Sequence, residues 1–284
     1  MGWFFVAGIV VVVAVGAAVG LGAHTGSWWR SRPPRFSDRV YGGFGRVAGF
    51  VLTIAAGSGV VWALGWVVGY IARELDPADH TAFAWIRPRA DVSWLSPAMR
   101  VLTQMGNNRE TQIITVVAAV VLTVLWWIRR RGITALTPAV LMVVAYELEH
   151  QMQHTLKLLA HRGHPPTTLG TFPSGGCARL LCVAGLAIYL LLRYFNANRS
   201  RIGVGVWTLF GVAVYIEGFA RIYLSQHWVT DVFGGWIVGT MLLAVMVGAA
   251  MVLDHPATAR QPHPGTPVGA ADAGDPTERH RVTT

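Results

Sequence analysis

Val232-Phe-Gly-Gly-Trp-Ile-Val-Gly-Thr-Met-Leu-Leu-Ala-Val-Met-Val-Gly-Ala-Ala-Met-Val-Leu253 contains no charged side chain. About 20 apolar residues are what an α-helix needs to cross the hydrocarbon core of a bilayer, where every backbone N–H and C=O must be satisfied internally. This run therefore reads as a transmembrane helix. Six further apolar segments precede it, at about 3–23, 47–71, 112–128, 133–148, 180–195 and 204–220. The 284 residues are 53% hydrophobic and 13% charged, about half the charged fraction of a soluble domain. That composition excludes a soluble globular enzyme, a disordered regulator and a coiled coil. It predicts an all-α integral membrane protein, with 12 Trp and 32 Gly matching the interfacial Trp and helix-embedded Gly of membrane proteins.

The first run lacks a basic leader and a small-residue cleavage site, so it reads as a retained span. Runs 133–148 and 180–195 are short and are expected to continue into their neighbours as more polar helix. The net charge of +9 gathers in short segments between apolar runs, where it acts as an orientation signal; no nucleic-acid partner is expected. Arg30, Arg32, Arg35, Arg39 and Arg46, then Arg129, Arg130 and Arg131, then Arg193, Arg199 and Arg201 mark alternate connections. They are placed inside, which puts 72–111, 149–179 and 221–231 outside, with the N-terminus outside and the C-terminus inside. Segment 72–111, with Pro77, Pro88, Pro97, Phe83, Trp85 and Trp94, reads as a partial lid on the membrane surface. The tail 254–284 has almost no large apolar residues and is expected to be disordered. Cys177 and Cys182 are too few for a disulfide framework and read as packing thiols.

Immediately before the opening run stands Arg221-Ile-Tyr-Leu-Ser-Gln-His227-Trp-Val-Thr-Asp231. His227 and Asp231, four apart, share one face if helical. A carboxylate beside one imidazole nitrogen fixes the tautomer and leaves the other free to attack. The planar fork of Arg221 suits phosphate oxygens. Upstream, Phe172-Pro173-Ser174-Gly175-Gly176 precedes an apolar run, and backbone N–H groups at a helix start bind anions where small residues permit close approach. Taken alone this is a Pro-Ser-Gly turn. Further upstream is Lys157-Leu-Leu-Ala-His161-Arg-Gly-His164-Pro165, whose Lys157 is the only lysine among 23 basic side chains; alone it reads as a snorkelling lysine.

Together the three stretches resemble the type 2 phosphatidic acid phosphatase superfamily of membrane phosphatases and phosphotransferases, whose motifs run Lys-x6-Arg-Pro, Pro-Ser-Gly-His and Ser-Arg-x5-His-x3-Asp. The matching residues are Lys157 and Pro165, then Pro173, Ser174 and Gly175, then Arg221, His227 and Asp231. The resemblance implies a six-helix phosphatase core at 47–253, preceded by one extra transmembrane helix with its basic cytoplasmic loop at 1–46 and followed by the tail. It implies that His227 is the nucleophile that becomes a phosphohistidine and that Asp231 orients it. Lys157, Ser174, Gly175 and Arg221 hold the phosphate. No metal or other cofactor is implied, because the cationic side chains stabilise the transition state. The expected setting is the plasma membrane, multi-pass, with the site facing outside.

Three positions depart from the pattern. His164 stands where the family has arginine and is read as a replacement phosphate contact; Ala220 replaces the serine before Arg221; Gly176 replaces the general-acid histidine. General acids typically contribute 10²–10⁴-fold. The chain is thus either a non-catalytic member that binds lipid phosphates or partner proteins, or an enzyme whose leaving group needs little protonation. A polyprenyl or other lipid diphosphate fits the second case, and Gly176→His is then expected to raise the rate on a monophosphate more than on a diphosphate. A phosphotransferase is a further alternative. So is a metal-dependent hydrolase built on Glu147, His150 and His154, with Glu149 nearby. Glu217, four before Arg221, reads as its structural ion-pair partner.

Overall fold

The computed structural model describes residues 45–90, 92, 94–130, 133–166, 171–198 and 200–254, with a few isolated positions near the N-terminus. The expected first span at 3–23 and the tail beyond Asp254 lie outside these stretches. Among the described residues the regular elements are helices: α1 (Arg46–Glu74), α2 (Asp76–Ile86), α3 (Leu95–Leu102), α4 (Asn108–Arg130), α5 (Thr137–Ala160), α6 (Gly175–Arg179), α7 (Gly185–Tyr194), α8 (Arg201–Tyr223) and α9 (Val229–Leu253). A π turn, Leu180–Ala184, joins α6 to α7, so 175–194 forms one near-continuous span. Among the described residues five helices are long and apolar enough to cross a membrane: α1, α4, α6–α7, α8 and α9. The sixth long helix, α5, has 24 residues and adds Glu147, Glu149 and Lys157 to its apolar start. The short runs at 133–148 and 180–195 do extend as helix, the first to Ala160 and the second back to Gly175.

α9 packs most extensively against α1, and α4 against α5. Leu141, Met142, Ala145, Leu156, Leu186, Leu190, Leu242 and Met246 fill the core between them. Apolar side chains on the outer faces, among them Val51, Val60, Val116, Val120, Ile202 and Leu209, remain exposed, as expected of a lipid-facing surface. Lipid supplies no hydrophobic drive between spans, so they need close backbone approach instead. Gly235 shows it: a Cβ there would stand 2.5 Å from the Ser174 carbonyl. Any other residue would push α9 away from the turn that starts α6.

Because successive spans alternate in direction, the end of α5, the start of α6, the end of α8 and the start of α9 share one end of the bundle. Segment 75–107 covers that end. α3 packs Leu95 and Met99 against Phe219, Ala220 and Tyr223 of α8, and Tyr223 Oη accepts from Val92 N at 3.1 Å.

Candidate active site

Asp231 is fully buried in the first turn of α9 and accepts from Trp228 N at 3.2 Å through Oδ2, so its carboxylate caps the helix it belongs to. His227 Nδ1 lies 3.5 Å from the same Oδ2, at the outer limit of a hydrogen bond, and has no partner of its own. The imidazole is only 5% exposed. Burial holds its pKa below the ordinary 6.5; Asp231 opposes this, and the positive charges of Arg221 and Lys157 add to it. At neutral pH the ring is therefore uncharged and able to act as a nucleophile.

Ser174 ties the second motif to the third. Its backbone N–H donates to the Asp231 carbonyl at 2.8 Å, and its side-chain oxygen is buried without a hydrogen-bond partner. The side chain of Gln153 fills the space beside Gly175. Lys157, half-buried at the end of α5, lies within electrostatic reach of Asp231, Arg221 and Arg179. The structure thus brings Lys157, Ser174, Arg221, His227 and Asp231 to one end of the bundle. His164 differs: it is exposed, and its Nδ1 sits 2.7 Å from the Pro165 carbonyl. His161 is also exposed, in a left-handed conformation that terminates α5.

The expected ion pair between Arg221 Nε and Glu217 is present. Nη2 of Arg221 donates to the Thr103 carbonyl and to Asn107 Oδ1, both at 3.2 Å. Nη1 makes none of these bonds. The guanidinium lies in the volume that a side chain at position 176 would fill: a Cβ on Gly176 would stand 2.6 Å from Nε and closer still to Nη2. Gly176 is an ordinary helical residue of α6. It has no left-handed backbone requirement; what it provides is room for the arginine.

Sequence reasoning missed a second set of charges. Arg162, 6% exposed, donates to Asp231 Oδ1 at 2.9 Å, to Asp76 Oδ1 at 2.9 and 3.0 Å, and to Asp79 and Thr230. Arg179 bonds Glu149 at 2.9 Å, Gln153 at 2.8 Å and the Gly106 carbonyl at 3.1 Å. Arg162 lies inside the unspecified spacer of the first motif, and Arg179 is one helical turn past the second. For each, the only signal in the chain was a carboxylate partner far off in sequence. Glu147, His150 and His154 are all exposed, and no group of three His, Cys, Asp or Glu placed to hold a metal occurs among the described residues. Glu149 turns inward to Arg179.

Residues 149–252 match the model of the PAP2 superfamily. A stretch of 80 residues is 32% identical to phosphatidylglycerophosphatase B of Bacillus subtilis, covering 28% of this chain and 38% of that protein. The fold matches the crystal structure of a transmembrane PAP2 type phosphatidylglycerolphosphate phosphatase from Bacillus subtilis, with a TM-score of 0.56 and 21% identity over 67% of this chain and 94% of the other.

Proposed function

Because residues 149–252 match the model of the PAP2 superfamily, we propose that this chain is a membrane phosphatase acting on a lipid diphosphate through a phosphohistidine at His227. The observation that carries the reading is the Arg221 guanidinium seated where the family's acid histidine would project. An arginine cannot give up a proton at neutral pH, but it can stabilise an anionic oxygen. The leaving group suited to that arrangement departs as an anion.

His227 Nε2 attacks the terminal phosphorus while Asp231 accepts from Nδ1–H and steadies the imidazolium. Lys157, Nη1 of Arg221, the Ser174 hydroxyl and the Gly175 N–H hold the phosphoryl oxygens. The Ser174 hydroxyl is buried without a protein partner, as an anion site requires. The P–O bond to the lipid phosphate breaks, and its electron pair leaves on a phosphate whose second pKa is about 6, so no proton is needed. A lipid monophosphate would have to expel an alkoxide with a pKa of about 15, near that of water. Water then attacks the phosphohistidine, the P–N bond breaks, inorganic phosphate departs and His227 returns neutral.

The site faces the outside of the plasma membrane in this reading, and the chain adds one N-terminal span to a core at 47–253. Phosphate release from polyprenyl diphosphate and from a monophosphate with the same tail, with His227→Ala as control, tests the proposal. Equal rates on both would defeat the diphosphate preference. Gly176 favours one rival, a member that binds lipid phosphates without turnover. Binding of both lipids with no phosphate released from either would establish it.

A further inference from the structure

Asp231 is held from behind as well as from the front. Its Oδ1 takes Arg162 at 2.9 Å, while Oδ2 faces His227 and caps α9. Arg162 is in turn gripped by Asp76 and Asp79 of α2. Asp79 Oδ1 accepts from the Thr230 N–H at 3.2 Å, and Oδ2 accepts from the Thr230 hydroxyl. The same helix packs on the nucleophile's neighbour: His80 and Phe83 lie 4.6 and 5.4 Å from the Trp228 ring. Trp228 Nε1 donates to the Gly163 carbonyl, next to Arg162, at 3.0 Å. We infer that Arg162 is a positioning residue for the His227–Asp231 pair: it locks the carboxylate to α2 and divides the carboxylate's charge between itself and the imidazole.

This rests on the phosphatase reading only in assigning His227 as nucleophile. Its physical content is a rule about charge. A carboxylate shared with a buried guanidinium supports a protonated imidazole less than a free one does. Removing Arg162 takes away a cation and releases Asp231 toward His227, and both effects raise the His227 pKa. Neutralising Asp79 leaves Arg162 with one fewer counter-charge and lowers it. Besides Asp231 on α9, the charged groups that act on His227 are Arg221 on α8 and Lys157 on α5. On α2, Asp76, Asp79 and His80 lie behind Arg162 and Trp228. All of these stay fixed across the variants except the residue changed.

The test is a titration of the ¹⁵N-histidine-labelled full chain in detergent micelles by NMR, with His227→Ala assigning the resonance. R162Q is expected to raise the His227 midpoint by about one pH unit, the size of an opposite-charge effect at close range. Arg162→Lys keeps the charge and is expected to leave the midpoint in place while lowering kcat at constant KM, because an ammonium cannot span three carboxylates. D79N is expected to lower the midpoint. A folded R162Q chain with an unmoved midpoint overturns the inference; if R162Q does not fold, an unmoved D79N midpoint does so. Absence of turnover in the unaltered chain would instead strike the phosphatase reading and leave the midpoints to decide Arg162.

Discussion

Gly176→Ala is the smallest change that challenges the central placement of Arg221. The added methyl would stand 2.6 Å from Nε, below the 3.0 Å that real Cβ contacts keep, and nearer still to Nη2. The guanidinium must retreat by about 1 Å to restore van der Waals contact. Its two Nη2 bonds, to Thr103 and Asn107, are already 3.2 Å long, and a retreat of that size takes them past the roughly 3.5 Å limit of a hydrogen bond. Hydrogen bonds to charged groups contribute about 1.5–3 kcal/mol each. Nη1 moves off the phosphoryl oxygen in the same retreat, and losing that bond from the transition state amounts to about 1.5–3 kcal/mol, or roughly 10–10²-fold in kcat/KM. The assay is phosphate release at subsaturating lipid diphosphate in mixed micelles, with a thermal melt to confirm folding. A folded G176A chain with unchanged kcat/KM would refute the role given to Arg221. The same contact corrects the expectation that Gly176→His adds an acid. The imidazole would expel the arginine, so both substrates should slow.

The acid limb of the pH profile should lie below 6.5, because burial favours neutral His227 and the nucleophile is the neutral form; kcat/KM measured across pH 4–8 should be flat above that limb and fall below it. Activity should persist in EDTA, since the cationic side chains already balance the phosphate; reversible loss restored by zinc would contradict this. Glu149→Gln strips the carboxylate from buried Arg179 and should destabilise the folded state by about 3–5 kcal/mol, read as a lower unfolding midpoint in detergent. Polyprenyl diphosphate should be cleaved faster than the matching monophosphate.

Charge-free stretches such as 232–253 made the spans legible in the sequence, because lipid imposes the same demand on every crossing segment. The site was legible where chemistry is local: Glu217 and Arg221 sit four apart on α8, so helix geometry pairs them, whereas His227 stands in the turn before α9 and meets Asp231 because that carboxylate folds back to cap the helix start. Arg162 was opaque. Its partners Asp76, Asp79 and Asp231 are brought to it by α2 and α9, and nothing in the first motif's spacing points to them. The packing role of Gly176 was opaque for a related reason. Its backbone is ordinary, and the constraint comes from a side chain on another span. Segment 72–111 read as a partial lid on the membrane surface. In the fold that segment supplies Thr103, Asn107, Asp76 and Asp79 to the charges around the site.

The pairing of the buried charges bears on how the chain enters the membrane. An arginine or carboxylate at the centre of a helix adds about 2.5–3.5 kcal/mol to its insertion. Glu217 and Arg221 ride in the same helix, so each shields the other as that segment leaves the translocon. Arg179 finds Glu149 on the span just before its own, so a helical hairpin suffices to neutralise both. Arg162 alone must wait for the final helix to deliver Asp231, and it waits at the bundle's end with Asp76 and Asp79 already synthesised. The order of synthesis thus gives every buried arginine of the site a counter-charge made before it or carried in the same span. The proposed nucleophile and its carboxylate arrive last, at the start of α9.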